Sequence, residues 1–359
     1  MIPKKDRIRG SLIGGAIGDA LGYPVEFVRT YENILKKYGQ GGITRYDKLH
    51  WWREESAQDA KAWISDDTQM TLYTACGLIN ACENKGLVLP SITQAYLEWL
   101  ETQLQDNDSE TNECWISYLP DMKQRRAPGE TCMSSLIALR SGRHVNNNSK
   151  GCGGIMRVAP IGLWGVSGKR FSSIDECCKV AAEVARVTHQ HKFGFLPAAL
   201  MTYLIYKLAC DDSPKVSDLY NYIEEAFEVL ERIYPEHIIS ICDLNDIVSN
   251  ALDYVTSDLP DHEAIKQIGE GWVAEEALAI ALYCAAKHFD DFEKAMIAAV
   301  NHGGDSDSTG AITGNILGAA IGYEALPEFY KKDLELHDVI IHVADDLYEG
   351  CVSSYQRLG

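Results

Sequence analysis

Residues 10–22 read GSLIGGAIGDALG and residues 310–322 read GAITGNILGAAIG. Gly10, Gly14, Gly18 and Gly22 recur every four residues in the first, and Gly310, Gly314, Gly318 and Gly322 do so in the second. Positions four apart share one face of an α-helix. A glycine inside a helix costs about 1 kcal/mol relative to alanine, so each stripe needs a compensating gain. A face without side chains lets a second helix approach closely, and that packing supplies the gain. The stripes therefore predict two central, tightly packed helices that cross each other.

Helical periodicity continues outward from them. Residues 68–82, 194–209, 273–287 and 308–321 are apolar and rich in Ala and Leu, and alternating strand patterns are scarce. The polar breaks at 105–113, 145–151, 211–214 and 257–262 are short enough to connect helices, and none has the character of an interdomain linker. The expectation is an all-α chain forming a single domain over residues 1–359.

Composition narrows the function. Lys and Arg total 33 and Asp and Glu 52, a formal net charge of −19. Such a surface repels phosphate backbones and argues against a nucleic-acid partner. It leaves room for a nucleotide-like ligand, because a local site or a metal can reverse the field. None of the 11 cysteines forms a CxxC pair, and several, such as Cys76, Cys210 and Cys284, lie in apolar helical runs. They read as reduced, buried small hydrophobes. The N-terminal apolar stretch is too short for a signal peptide, and no run reads as a membrane span of ~18 apolar residues. A cytoplasmic protein without a membrane partner is expected.

Two acidic clusters carry the chemistry. Ser65-Asp66-Asp67-Thr68 precedes one strong apolar helix, and Gly303-Gly304-Asp305-Ser306-Asp307-Ser308 precedes the second glycine-striped one. One aspartate at a helix start is ordinarily an N-cap. Two clusters of two carboxylates each exceed what capping needs, and crowded carboxylates repel unless a cation joins them. Oxygen donors of Asp with Ser suit hard cations such as Mg²⁺, Mn²⁺ or Ca²⁺. The Gly303-Gly304 pair is expected to keep side chains clear of a ligand. Asp19, inside a small-residue helix, reads as a capping or supporting residue. Glu26, beyond Pro24, is the better catalytic candidate.

GDALGYPVEF (18–27), SDDTQM (65–70), GCGGIMRVAP (151–160), THQH (188–191) and HGGDSDSTGAITGNILGA (302–319) occur in that order. In this the chain resembles the ADP-ribosylglycohydrolase family, from about residue 7 to residue 323. The resemblance implies an all-α orthogonal helical bundle with a dinuclear Mg²⁺ or Mn²⁺ site in a central cleft. It implies that Ser65, Asp66 and Asp67 bind one metal and that Asp305, Asp307 and Ser308 bind the other or bridge both. Glu26 matches a family glutamate at the mouth of the site, facing substrate or metal water. Gly151, Gly153, Gly154, Ile155 and Met156 fall in the family's glycine-rich substrate loop, and His189 matches a histidine near ribose and diphosphate. Trp272 lies in a segment where relatives contact adenosine. It reads equally as a base-stacking residue or a buried core tryptophan. Ala127 stands where nitrogenase-regulating members carry a functional aspartate.

The resulting expectation is a metal-dependent N-glycosidase that frees ADP-ribose from a modified protein, foremost from arginine. Asp66, Asp67 and Asp305 are the candidates for the general base. ADP-ribosyl-serine or O-acyl-ADP-ribose is the first alternative. A two-metal phosphoesterase would bring histidine ligands beside the aspartates, and a non-catalytic crystallin-like relative has no need of four aspartates. The partner expected is an ADP-ribosylated protein, with a monomer favoured over an oligomer.

Overall fold

In the computed structural model, residues 2–48, 60–104, 112–168 and 171–353 are described. The two glycine stripes lie on α1 (Lys4–Gly22) and, far along the chain, on a helix spanning Ser306–Ile321. Between them run α2 (Tyr31–Tyr38), α3 (Asp66–Glu83), α4 (Val88–Leu104), α5 (Glu130–Arg140), α6 (Ala159–Val166), α7 (Ile174–Arg186) and α8 (Lys192–Cys210). Then follow α9 (Val216–Ile233), α10 (Ile238–Asp253), α11 (Asp261–Ile268), α12 (Ala274–Lys287) and α13 (Phe292–Val300). The glycine-striped Ser306–Ile321 helix is α14, and α15 (Glu328–Asp333) and α16 (His337–Glu349) complete the order. No strand occurs among the described residues, only isolated bridges such as Gly151 with Val273. The fold is all-α, as the periodicity predicts. Of the polar breaks, residues 105–111 lie outside the described residues, and α11 begins inside the break at 257–262.

Helices α1 and α14 pack side by side and antiparallel along their whole length. A Cβ added to Gly10 would sit 2.5 Å from the Gly318 carbonyl oxygen, and on Gly14 or Gly18 closer still to those of Gly314 and Gly310. Contact at this distance is backbone on backbone, which only glycine permits. The stripes thus mark a continuous antiparallel seam where the sequence predicts a crossing. Arg7, 1% exposed, clamps the far end by donating to the carbonyls of Ala319 at 3.0 Å and Leu208 at 3.3 Å, tying the α14 C-terminus to α8. One apolar core runs from Ile8 to Leu347 around this pair.

The expectation that nothing in the chain is apolar enough to span a membrane needs correction at α8. By length and composition that helix would cross a bilayer, but 78% of its apolar window is buried inside the protein. It is long and apolar because it is packed on several sides. No disulfide joins the described cysteines; Cys76 and Cys284 are buried as predicted, Cys210 is only half-buried, and Cys242 and Cys351 are exposed.

Candidate active site

The antiparallel seam decides where the chemistry lies. It sets the C-terminal end of α1 against the N-terminal end of α14, with Gly22 on the backbone of Ser306 and Asp307. Beyond Gly22 the chain turns through a short 3₁₀ segment, Tyr23–Val25, and delivers Glu26 to the same place. Glu26, Asp305 and Asp307 each bring a carboxylate oxygen within 4.8 Å of the others, although 281 positions separate Glu26 from Asp307.

The second cluster abuts the first. Ser308 Oγ donates to Asp67 Oδ2 at 2.8 Å, and the Ser65 hydroxyl bonds to Asp307. Asp66 accepts from the Gly129 backbone N–H at 3.1 Å. Thus Ser65, Asp66, Asp67, Asp305, Asp307, Ser308 and Glu26 form one continuous group, each at most 8% exposed.

Capping does not account for these aspartates. The N-terminus of α3 is capped by Ser65, whose hydroxyl accepts from Asp67 N at 3.2 Å. It is capped again by Asp19 reaching across from α1 to accept from Ser65 N at 2.9 Å and Thr68 N at 3.1 Å. Asp19 is therefore the supporting residue that the sequence indicates. At α14 the N-cap position is Asp305, yet its side chain makes no capping hydrogen bond. The carboxylates of Asp66, Asp67, Asp305 and Asp307 are left to face one another.

Electrostatics makes that arrangement expensive without a cation. Burial first, then the charges of Asp307 and Asp305, push the Glu26 carboxyl up to about 12. Burial and Asp307 raise Asp19 to about 7. Asp66, Asp67 and Asp305 lie well above the usual carboxylate range, chiefly through burial. The buried Arg126 guanidinium pairs with Glu335 at 2.6 Å, and the half-exposed Lys150 pairs with Glu275. Glu26 Oε2 is buried without a hydrogen-bond partner. An orphaned carboxylate oxygen beside two more carboxylates is the donor set of a hard divalent cation, and the residues present fit one.

A family model described as ADP-ribosylglycohydrolase matches residues 2–357. The chain belongs to the ADP-ribosylglycohydrolase family. It is 25% identical to a Dictyostelium discoideum protein named ADP-ribosylhydrolase ARH1, over 96% of this chain and 94% of that one. It is 24% identical to the ADP-ribosyl-[dinitrogen reductase] glycohydrolase of Rhodospirillum rubrum, over 92% and 91%. A solved structure described as an ADP-ribosylglycohydrolase-related protein complex shares the fold, with TM-score 0.62 at 21% identity, covering 97% and 98% of the two chains. The protein is thus an ADP-ribosyl glycohydrolase, a class that hydrolyses ADP-ribose linkages.

Against that family frame, the glycine-rich loop behaves differently from a simple phosphate cradle. A Cβ on Gly153 would meet Cys132 Sγ at 2.8 Å and His189 Cε1 at 2.9 Å, and one on Gly154 would meet the Gly194 carbonyl at 2.7 Å. These glycines make room for the protein's own groups. Ile155 and Met156 are 0% and 2% exposed, and both N–H groups bond to the Cys152 carbonyl. Their side chains and amides are thus engaged within the protein. His189, 2% exposed, lies against Gly151 and Gly153 with Nδ1 bonded to Thr188 Oγ1 at 2.8 Å. Burial, with Arg157 behind it, holds its pKa down to about 3, so it supports the loop as a neutral imidazole. Gly303 and Gly304 are also glycine for packing, since a Cβ on either would strike the backbone of Arg29 or Glu270. That corrects the expectation that they clear space for a ligand.

Trp272 is not a core residue. It is 39% exposed and stacks on Phe27, itself 69% exposed, with centroids 6.3 Å apart and planes 25° apart. Phe27 follows Glu26, so an aromatic pair flanks the acidic group. Sequence reading passes over Phe27, and only its adjacency to Glu26 could have marked it. Cys152 was passed over too: its Sγ donates to Asp305 Oδ2 at 2.7 Å. His191 caps α8 by accepting from Phe193 N at 3.1 Å.

Proposed function

We propose that this protein hydrolyses the N-glycosidic bond of ADP-ribosyl-arginine in a modified protein, releasing ADP-ribose, and that it does so with two Mg²⁺ or Mn²⁺ ions. The observation that carries this reading is the buried group of Glu26, Asp305 and Asp307, with mutual oxygen distances within 4.8 Å, in which the leading charges acting on Glu26 are those of other carboxylates. Asp305, Asp307 and Ser308 would hold one ion and Ser65, Asp66 and Asp67 the other. Glu26 stands close enough to Asp305 and Asp307 to join the first set, where the family resemblance puts it only at the mouth. Bound cations would supply positive charge that orients the ribose hydroxyls and acidifies a nearby water.

The rest is the work of the chain's own groups. A carboxylate of Asp66, Asp67 or Asp305 accepts the proton of the attacking water. Positive charge develops on the sugar as the bond to nitrogen stretches, and the surrounding carboxylates favour it. Guanidine leaves only while cationic, and a carboxylate pairs with guanidinium through two parallel hydrogen bonds. That requirement, together with the acidic surface, favours arginine as the acceptor. Phe27 and Trp272 present exposed faces on which a base can stack.

The test is ADP-ribose release from matched arginine- and serine-modified peptides, with and without Mg²⁺. Faster release from the arginine peptide, and only with the ion, is expected. Equal or reversed rates would remove the arginine assignment, and release in a chelator would remove the metal requirement.

A further inference from the structure

Cys152 sets its sulfur against the acidic group. Its Sγ lies 2.7 Å from Asp305 Oδ2, on the carboxylate that also borders Glu26 and Asp307. The backbone beneath it is fixed. Cys152 N donates to the Trp272 carbonyl at 3.1 Å, and the Cys152 carbonyl accepts from Ile155 N at 2.9 Å and Met156 N at 3.1 Å. Gly151 and Gly153 on either side press against His189, and Gly154 presses against Gly194. The turn holds the Cys152 backbone beside Asp305, and the sulfur already touches that carboxylate.

An independent observation says that this spot is built for a ligand. Glu26 is only 8% exposed, and its Oε2 has no hydrogen-bond partner. Three carboxylates therefore converge where one polar atom stands unpaired, and the Cys152 thiol meets that group through its contact with Asp305. Carboxylates alone select hard cations, whereas adding thiolate shifts preference toward softer ones.

We propose that Cys152 is a sulfur donor at the cation site, so that this protein binds thiophilic divalent cations such as Zn²⁺ and Cd²⁺ more tightly than an all-oxygen site would. The inference rests on the cation site proposed above. Binding breaks the S–H bond and forms a sulfur–metal bond, Cys–SH + M²⁺ → Cys–S–M⁺ + H⁺, with the proton passing to solvent and no change of oxidation state. Such an ion would occupy the place of Mg²⁺ and slow turnover. The competing role is a thiol that only hydrogen-bonds Asp305 and never meets an ion.

The experiment uses full-length protein and Cd²⁺ as the probe. Titration of the wild type should produce an ultraviolet sulfur-to-cadmium charge-transfer band that saturates near one equivalent. Cys152→Ser and Cys152→Ala should both lose the band, and half-maximal thermal stabilisation should need at least tenfold more Cd²⁺. On the wild type alone, Cd²⁺ should protect Cys152 from alkylation, read by peptide mapping, which keeps the test independent of how the variants fold. A band of undiminished amplitude in Cys152→Ala, or alkylation of Cys152 at the same rate with Cd²⁺ present, would overturn the proposal. Absence of the band while Mg²⁺ still stabilises the wild type strikes this inference alone. Failure of Mg²⁺ to stabilise the wild type strikes the cation site itself.

Discussion

Replacing Asp307 by asparagine separates a metal ligand from a helix-start residue, because asparagine serves helix starts about as well as aspartate. The substitution keeps the shape of the side chain and removes one charge from a site where Ser65 and Ser308 N already bond to it. In cation-free protein, burial first and mutual repulsion second favour protonated carboxyls beside Asp307, Glu26 among them. Deleting the Asp307 charge should therefore raise cation-free stability by roughly 1–3 kcal/mol. For a chain of 359 residues, an unfolding entropy of about 2.1 cal/mol/K per residue makes 1 kcal/mol worth roughly 1.3 °C in Tm. Mg²⁺ at a hundred times its Kd should stabilise the wild type by about 2.7 kcal/mol, or roughly 3–4 °C. If Asp307→Asn weakens binding a hundredfold, the same Mg²⁺ concentration should add only about 0.4 kcal/mol, roughly half a degree. Differential scanning calorimetry with and without Mg²⁺, beside ADP-ribose release, reads all of this. The expected protein is folded, slightly more stable without cation, unresponsive to Mg²⁺ and nearly inactive. Wild-type turnover with an unchanged Mg²⁺ shift would refute the reasoning.

Three further perturbations test the frame around the site. Gly14→Ala, favourable in an ordinary helix, should here cost roughly 2–3 kcal/mol, since the new methyl collides with the Gly314 carbonyl; a Tm at or above wild type would contradict the seam. Glu335→Gln breaks the buried 2.6 Å ion pair with Arg126 beneath Trp63, and the expected loss of about 3–5 kcal/mol should appear as a lower denaturant midpoint. Burial holds His302 down to about 4, below its free value of about 6.5. The unfolded chain then takes up a proton first as pH falls. The stability this histidine supports is complete above about 6.5 and declines down to pH 4, by about 3 kcal/mol in all. His302→Gln should flatten the acid limb of a Tm-against-pH curve, and an unchanged slope would reject the assignment.

The sequence made the central pair legible because glycine spacing has one economical explanation, close helix contact. It could not reveal that the pair is antiparallel in a register matching Gly10 to Gly318, which depends on every connection between them. The four aspartates were visible as a surplus over capping. That surplus is confirmed in geometry by Asp19, which fills the capping role at α3 from another helix. The loop glycines misled for a physical reason. Glycine reports that something comes close to the backbone, and sequence does not say whether it is a phosphate or, as at Gly153, the protein's own histidine. Cys152 goes unmarked in the sequence, because nothing in a GCGG turn discloses the distance to Asp305.

The antiparallel seam also sets a schedule. Glu26 leaves the ribosome long before Asp307, and at about 5–20 residues per second the interval is roughly 15–60 s. During that time α1 exposes a bare glycine face with no partner to cover it. The site cannot assemble domain-fashion from the first half of the chain, because the two halves of its acidic group belong to opposite ends. A ribosome-stalled chain ending before residue 306 should therefore show α1 protease-sensitive and ready to associate with other apolar helices. Activity should appear abruptly, with the emergence of α14, and not in proportion to length.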